Sequence, residues 1–108
     1  MSNSSRGDYY KKKTKLWFEE QGYCVEYTEK YRKFQKDGKT YHIKQDLFGA
    51  DGISISTKHI VFWNSKIGRT GLKKAIDKFN EYPFPDSAGR WIICWTPRVK
   101  EPEVIDAQ

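Results

Sequence analysis

Residues 51–66 read Asp-Gly-Ile-Ser-Ile-Ser-Thr-Lys-His-Ile-Val-Phe-Trp-Asn-Ser-Lys, and the architecture of the chain is built around them. Residues 53–56 and 59–65 mix β-branched or aromatic residues with small polar ones, a composition typical of strands. A tight turn centred on Thr57-Lys58 would join the two runs. The sequence therefore predicts an antiparallel β-hairpin at this point of the chain.

Pairing about that turn brings three polar side chains together. It places Asp51 opposite Asn64, and directly opposed residues point to the same face of a hairpin. Lys66 points to that face as well, because it is two residues further along the strand. The rest of the face is apolar, with Ile53, Ile55, Ile60 and Phe62. Polar groups that converge at the end of an apolar face cost desolvation unless they bind something, so we expect a functional site here. A purely structural role, as polar strand ends, is the alternative.

The spacing of these residues resembles a known nuclease motif. The pattern Asp51…Asn64-Ser-Lys66 is similar to that of the PD-(D/E)xK nuclease superfamily, and within it to archaeal-type Holliday junction resolvases and their phage relatives. Residues 46–51, Asp-Leu-Phe-Gly-Ala-Asp, resemble the Asp-Leu-Phe-Gly-x-x-Asp runs of some members. The resemblance covers most of residues 6–97.

The N-terminal part of the chain supports the same resemblance. The first helix of the family is preceded by Arg/Lys-Gly and followed by Gly-Tyr/Phe. A similar pattern occurs here, with Arg6-Gly7 before a helical stretch and Gly22-Tyr23 after it. Two positions depart from the family pattern. Lys11 stands where the family has a Glu four residues after the first Gly, and Asn64 stands where it has Glu or Gln.

The resemblance implies a fold and an activity. The fold would be an α/β (α+β) restriction-endonuclease-like core, with a mixed central β-sheet flanked by helices and the order α-β-β-β-β-β-α-β. The activity would be Mg²⁺-dependent (or Mn²⁺-dependent) hydrolysis of phosphodiesters in branched or duplex DNA by a homodimer. Lys11 and Asn64 favour the alternative of a non-catalytic DNA-binding protein on a degenerate nuclease fold. A phage or mobile-element accessory protein that binds another protein is a third reading.

Oxygen ligands of a hard cation can be assigned to the predicted site. Asp51 is the natural first ligand, and Asn64 offers a neutral amide oxygen. Lys66 would orient the attacking water or stabilise charge on the phosphate. A second acid is expected, with Asp46 on the loop that enters the site as the first choice, then Asp8 on the first helix and Glu20 behind them. The alternatives are a turn-forming role for Asp46 and a helix-start charge for Asp8.

The charge of the chain fits an anionic partner. The formal net charge is +6, and two basic segments precede and follow the predicted site. Contacts to DNA phosphates are expected from Arg6, Lys11, Lys12 and Lys13 in the first segment and from Arg69, Lys73 and Lys74 in the second. Such contacts give affinity without base preference and weaken with salt. A solvated helix face is the alternative for each segment.

The remaining elements follow from periodicity and from turn residues. Helices are predicted over residues 8–21, closed by a left-handed Gly22, and over 72–82. Strands are predicted over 24–28 and 90–96, and a hairpin over 31–36 and 39–44 about Asp37-Gly38. Trp63 points away from Asp51, either to pack under the second helix or to line a dimer surface. Tyr9, Tyr10, Leu16 and Trp17 are expected to form the apolar stripe of the first helix.

Length and composition are typical of one small globular domain. The chain has 108 residues, of which 16% are aromatic, and we expect a single domain with flexible ends at 1–5 and about 99–108. Two cysteines without metal-ligand spacing and no long apolar run favour a reducing, cytoplasmic setting away from membranes. No zinc site is expected, because neither histidine has a further ligand at suitable spacing.

Overall fold

The computed structural model describes residues 3–28, 30–45 and 47–107, and the side chains among these other than those of 3–6, 30–34 and 42–45. In this part of the chain the elements follow in the order α1 (Asn3–Glu20), β1 (Cys24–Tyr27), β2 (Lys30–Lys36), β3 (Lys39–Gln45), β4 (Gly52–Ile55), β5 (Ile60–Ile67), α2 (Leu72–Phe79), β6 (Ala88–Trp95) and β7 (Glu103–Asp106).

The central sheet has five strands in the order β1-β4-β5-β6-β7. Strand β5 pairs in parallel with β6, and the other neighbours pair antiparallel, so the sheet is mixed. Strands β2 and β3 form a separate two-stranded hairpin. The expectation of an α+β protein with a mixed central sheet flanked by helices is therefore confirmed, and β7 extends the predicted order of elements by one strand.

Both predicted hairpins have the predicted register. In the central one Gly52 lies opposite Trp63 and Ile53 opposite Phe62. Beyond this pair the N–H of Asp51 donates to the carbonyl oxygen of Trp63, so the predicted pairing does not continue unchanged to Asp51. In the hairpin of β2 and β3, Lys36 pairs with Lys39 across the Asp37-Gly38 turn. Both turn residues have positive φ, as a two-residue hairpin turn requires.

The two helices cover opposite faces of the sheet. One buried cluster joins α1 to the sheet through Tyr10, Phe18, Val25, Val61, Trp63, Ile93 and Trp95. A second joins α2 to the other face through Ala50, Ala75, Phe79, Ile92, Cys94 and Ala107. Trp63 therefore packs under the first helix and not, as predicted, under the second, with its ring stacked on Phe18 at 5.9 Å between centroids.

The apolar face of α1 differs from the predicted stripe. Tyr9 and Leu16 are about half exposed, whereas Tyr10, Thr14 and Phe18 are buried at a spacing of four residues. The predicted stripe followed hydrophobicity alone. The buried set instead contains a threonine, whose hydroxyl group donates a hydrogen bond of 2.7 Å to the carbonyl oxygen of Tyr10.

The ends of α1 agree only in part with the prediction. The helix closes as predicted at Gly22, which has φ +91°, and the N–H of Tyr23 donates a hydrogen bond to the carbonyl oxygen of Phe18. The helix begins at Asn3, so Asp8 lies within it and not at its start. Interaction of Asp8 with the N-terminal helix dipole, which fades after the first turn, therefore does not apply.

The expectation of a loose C-terminal tail is wrong for its central part. Strand β7 pairs with β6 from Trp91↔Asp106 to Cys94↔Glu103, and Ala107 is buried. The side chain of Glu101 also accepts a hydrogen bond of 2.9 Å from the indole N–H of Trp17. A four-residue edge strand with acidic ends carries too short a hydrophobic pattern to be recognised from sequence. Among the helices of the described residues, none combines the length and apolar character needed to cross a membrane.

Candidate functional site

Asp51 is held between two strands. Its carbonyl oxygen accepts a hydrogen bond of 3.0 Å from the N–H of Thr28, at the end of β1, and its own N–H donates to the carbonyl oxygen of Trp63 at 2.9 Å. The Thr28 hydroxyl group donates to the carbonyl oxygen of Ala50. The backbone that carries the Asp51 carboxylate is therefore fixed from both sides.

Asp51 and Asn64 are further tied by their side chains. Oδ1 of Asn64 accepts a hydrogen bond of 3.0 Å from the N–H of Asp51, and Oδ2 of Asp51 accepts one of 3.0 Å from the N–H of Ser65. Asn64 is only 6% exposed, and burying an amide without a partner would be costly. The geometry thus gives Asn64 a positioning role, because its oxygen accepts from the backbone of the residue that it faces.

The three residues predicted to form the site line one cavity. It has a volume of about 260 Å³, and β5, α2 and the turn before β4 form its wall. We call it the lysine cavity; its lining residues are Gly49, Asp51, Asn64, Lys66, Gly71, Lys74, Ala75 and Lys78. The structure thus brings Asp51, Asn64 and Lys66 together and adds two lysines from α2.

The lysine cavity is electropositive. Three lysines, Lys66, Lys74 and Lys78, and one aspartate, Asp51, line it, which gives a formal charge of +2 among the lining residues. A concave surface with charges of one sign in excess raises the local concentration of counter-ions. Lysine is a common ligand of phosphate groups, which it binds as a point charge. The cavity can therefore bind a phosphate or another small anionic group.

The described residues offer a hard cation the right kind of donor but too few of them. Asp51 and Asn64 supply carboxylate and amide oxygens, which Mg²⁺ prefers. Within the described part of the chain, however, no group of three or more His, Cys, Asp or Glu residues is placed to hold a metal. Asp46, the first choice for a second acid, lies outside the described residues.

Asp8 does not reach the lysine cavity. Helix α1 packs on the face of the sheet that carries Val61 and Trp63, whereas Asn64 points to the opposite face. Asp8 lies instead near Tyr27, where burial, then Glu19 and Asp8, raise the pKa of the phenol. Asp8 is not among the residues that line the cavity with Asp51, and its role as a metal ligand stays a prediction.

The basic residues of α1 lie on the side of the sheet away from the lysine cavity. Lys12 is exposed, and Lys11 is half-buried. The ammonium group of Lys13 sits 4.6 Å from the ring centre of Trp95, a cation–π contact that gives it a packing role. The side chain of Arg6 lies outside the described part of the structure. Lys11, Lys12 and Lys13 are thus not among the residues that line the predicted site.

The second basic segment lies beside the cavity. Lys74 lines it directly, and Lys73 is exposed on α2. Arg69, just before α2, forms an ion pair with Glu103 of β7, and the hydrogen bond and charge of Glu103 raise the pKa of its guanidinium group. Arg69 therefore fastens the loop to β7 and does not line the cavity.

Sequence reasoning missed Lys78 and Gly49 as lining residues. Lys78 is one helical turn after Lys74, so the two share a face of α2, and this i,i+4 spacing was the available signal. Gly49 brings its backbone close to that face, since a Cβ atom there would lie 3.2 Å from Cγ of Lys78. Only the fold reveals that this face looks toward Asp51.

Comparisons of the chain with protein-family models, with curated proteins and with solved structures find no match.

Proposed function

We propose that this chain is a metal-dependent DNA endonuclease of the PD-(D/E)xK type, acting on branched DNA such as a four-way junction. The observation that carries the proposal is the convergence of Asp51, Asn64 and Lys66 in the lysine cavity, beside Lys74 and Lys78. Asn64 and Lys66 stand 13 and 15 positions after Asp51 in the sequence, and Lys74 and Lys78 lie on α2. The fold is therefore what brings the five residues to one cavity.

The order of elements supports a restriction-endonuclease-like core. A helix, an antiparallel part of the sheet, a crossover helix and a strand parallel to β5 follow one another in the chain, as the resemblance implies. The hairpin of β2 and β3 and the edge strand β7 would be additions to that core. Asp51 directly precedes β4, and Asn64 and Lys66 lie in the second half of β5, an arrangement compatible with the motif that the resemblance implies.

Each lining residue has a role in this proposal. Lys74 and Lys78 would hold the phosphate, and Lys66 would stabilise the charge that develops on it during hydrolysis. Asp51, with Asp46 as the second acid, would hold Mg²⁺ or Mn²⁺, while Asn64 keeps Asp51 in position. A bound cation of this kind supplies an activated water molecule and neutralises charge on the leaving oxygen.

A second candidate function is DNA binding without hydrolysis, on a degenerate nuclease fold. The observation that favours it is the amide at Asn64, whose oxygen accepts a hydrogen bond from the Asp51 N–H. In the described part of the lysine cavity, Asp51 is then the one carboxylate against three lysines. That balance suits retention of an anion better than the capture of a divalent cation.

One assay separates the two candidates. A labelled four-way junction and a linear duplex of the same sequence are incubated with the protein in Mg²⁺, Mn²⁺ or EDTA, and binding and cleavage are both measured. If the protein is an endonuclease, the junction should acquire paired nicks in the presence of the metal. The Asp51→Asn variant should then bind the junction without cutting it. Binding alone predicts no nicks in either metal, with tighter binding by Asp51→Asn because a negative charge beside the phosphate is lost.

The variants are chosen to test the cavity and not total charge. Lys66→Ala and Lys74→Ala should each weaken binding and reduce its salt dependence by about one released ion. Lys100→Ala removes the same charge from an exposed position outside the cavity and should leave binding nearly unchanged. Absence of binding at low salt would overturn both DNA functions and favour a protein partner. Sedimentation at several concentrations tests the homodimer that the resemblance implies.

A further inference from the structure

An aromatic groove lies beside the lysine cavity. Its volume is about 550 Å³, and it is lined mainly by Phe48, Lys58, Ile60, Phe62, Tyr82 and Phe84. Ile60 is 45% exposed and Phe48 46% exposed, so a large apolar surface faces solvent there. Exposed apolar patches of this kind commonly mark binding surfaces.

The groove and the lysine cavity are lined by neighbouring residues. Phe48 lines the groove, and its neighbour Gly49 lines the cavity. On β5, Phe62 and Asn64 point to the same face two residues apart, which is about 7 Å along a strand. A molecule with an anionic group in the cavity can therefore extend an adjoining flat, apolar part into the groove.

The backbone holds Phe48 in an unfavourable conformation. Phe48 has φ +53° and Gly49 has φ +79°, in a turn closed by a hydrogen bond of 2.9 Å from the N–H of Ala50 to the carbonyl oxygen of Leu47. Asn is the usual residue at the first such position, and positive φ is rare for a bulky side chain. The conformation of this turn thus favours Asn at position 48, whereas the chain has Phe48 there.

The ring of Phe48 completes the wall of the groove. Its centre lies 5.5 Å from that of Tyr82, 6.1 Å from Phe84 and 6.3 Å from Phe62, each in edge-to-face geometry. These contacts cover only part of the ring, which keeps an exposed side. A strained residue that presents a half-exposed aromatic ring next to a binding cavity is well placed to contact a ligand.

We propose that the aromatic groove receives an unpaired nucleobase of the DNA strand whose phosphate lies in the lysine cavity. This inference rests on the proposed binding of DNA phosphate in that cavity. Stacking of nucleobases on aromatic side chains does not depend on the DNA sequence, because every base has a π-face. Lys58 at the rim adds a positive charge toward the same strand. The substrate class is then single-stranded or locally unpaired DNA, since a base inside a duplex cannot enter the groove.

The test compares three fluorescent probes of equal length by anisotropy at one salt concentration: oligothymidylate, an abasic oligodeoxynucleotide and a fully paired duplex. We expect oligothymidylate to bind roughly 5- to 150-fold more tightly than the abasic strand, the range for stacking of one base. Phe48→Asn should remove most of that difference and leave abasic binding unchanged. The variant suits the turn, so its melting temperature should stay close to that of the wild type, which excludes misfolding as the cause.

The controls separate this inference from the proposed function. Leu47→Asn changes an exposed residue of the same turn that does not line the groove, and it should keep the preference for bases. Equal binding of oligothymidylate and the abasic strand would overturn the groove inference and leave phosphate binding intact. Failure of every probe to bind would overturn the groove inference, and the four-way junction assay would then decide the proposed function separately. If Phe48→Asn instead turns a dimer into a monomer in sedimentation, the groove is an interface between two copies and the inference is wrong.

Discussion

Asp51 and Asn64 brace each other, because each side chain accepts a hydrogen bond from the backbone of the segment that carries the other residue. Asn64 accepts from the N–H of Asp51, and Asp51 accepts from the N–H of Ser65, both at 3.0 Å. A displacement of either residue therefore displaces the other. This mutual bracing fixes one carboxylate at the wall of a cavity that also contains three lysines.

Asn64→Asp should make the stability of the protein depend on divalent cations. The new carboxylate still accepts from the Asp51 N–H but adds a negative charge beside the Asp51 carboxylate, so unfolding in EDTA should become easier by about 1–2 kcal/mol. Mg²⁺ or Mn²⁺ should restore the melting temperature, because two carboxylates bind a hard cation better than one. Thermal denaturation with and without metal measures this. An equal response of wild type and variant to both metals would contradict a cation site at this position.

Gly52→Ala should be strongly destabilising. A Cβ atom at Gly52 would overlap the indole ring of Trp63, which is fully buried and has no room to move away. Overpacking of this kind costs about 3 kcal/mol. Urea denaturation followed by tryptophan fluorescence measures the loss.

Gly7→Ala is the matched control for that substitution. A Cβ atom at Gly7 meets no described atom within 4 Å, and the residue lies in α1. Alanine should raise stability there by up to about 1 kcal/mol, because glycine has a low helix propensity. If both variants unfolded at the same urea concentration as the wild type, the close approach of Trp63 to β4 would be wrong.

Thr14→Val should weaken the packing of α1 on the sheet. The indole N–H of Trp95 donates a hydrogen bond of 2.8 Å to the Thr14 hydroxyl group, and both residues are buried. Valine has the same shape but leaves that N–H without an acceptor, at a cost of about 2 kcal/mol. Thr14→Ser keeps the acceptor and should lose only about 1 kcal/mol, from the missing methyl group. A larger loss for serine than for valine would show that the hydrogen bond contributes little.

Stability should fall in alkaline solution, partly through Cys94. Burial, and after it the charge of Glu103, raise the pKa of the Cys94 thiol above its ordinary 9.0. Above pH 9 the unfolded chain loses this proton while the folded chain keeps it, so the stability present below pH 9 is lost as the pH rises. Tyr27, with a pKa raised above 10.0, adds to the loss at higher pH.

Two cysteine variants test that dependence by thermal denaturation between pH 7 and 11. Cys94→Ala should flatten the first part of the decline, although the cavity it leaves lowers stability at every pH. Cys24→Ala removes an exposed thiol and should keep the whole decline. An unchanged profile in Cys94→Ala would assign the alkaline loss to other groups.

Local patterns predicted the parts of the fold that depend on short-range pairing. The turn at Thr57-Lys58 predicted the register of the central hairpin up to Gly52 opposite Trp63, and Asp37-Gly38 predicted that of the second hairpin. The choice of buried face was less predictable, because both faces of the central hairpin are apolar. The face with Val61 and Trp63 is fully buried, while Ile55 and Ile60 on the other remain about half exposed.

The surroundings of the site depend on tertiary packing and could not be predicted from spacing. Asp8 was expected as a second acid beside Asp51, but it is not among the residues that line the lysine cavity. Lys78 was not among the predicted site residues, but α2 places it beside Gly49 at the lysine cavity. The aromatic groove joins residues from the turn before β4, from β5 and from the segment after α2, so no single stretch of sequence contains it.

The most direct test of the central claim is a two-dimensional amide NMR titration of the ¹⁵N-labelled protein with unlabelled four-way junction DNA. The 12.8 kDa chain is well suited to it. We expect the largest shift changes at Asp51, Asn64, Lys66 and the first turns of α2, around the lysine cavity. Shift changes confined to α1 or to the hairpin of β2 and β3, with the cavity amides unmoved, would contradict a DNA site at Asp51.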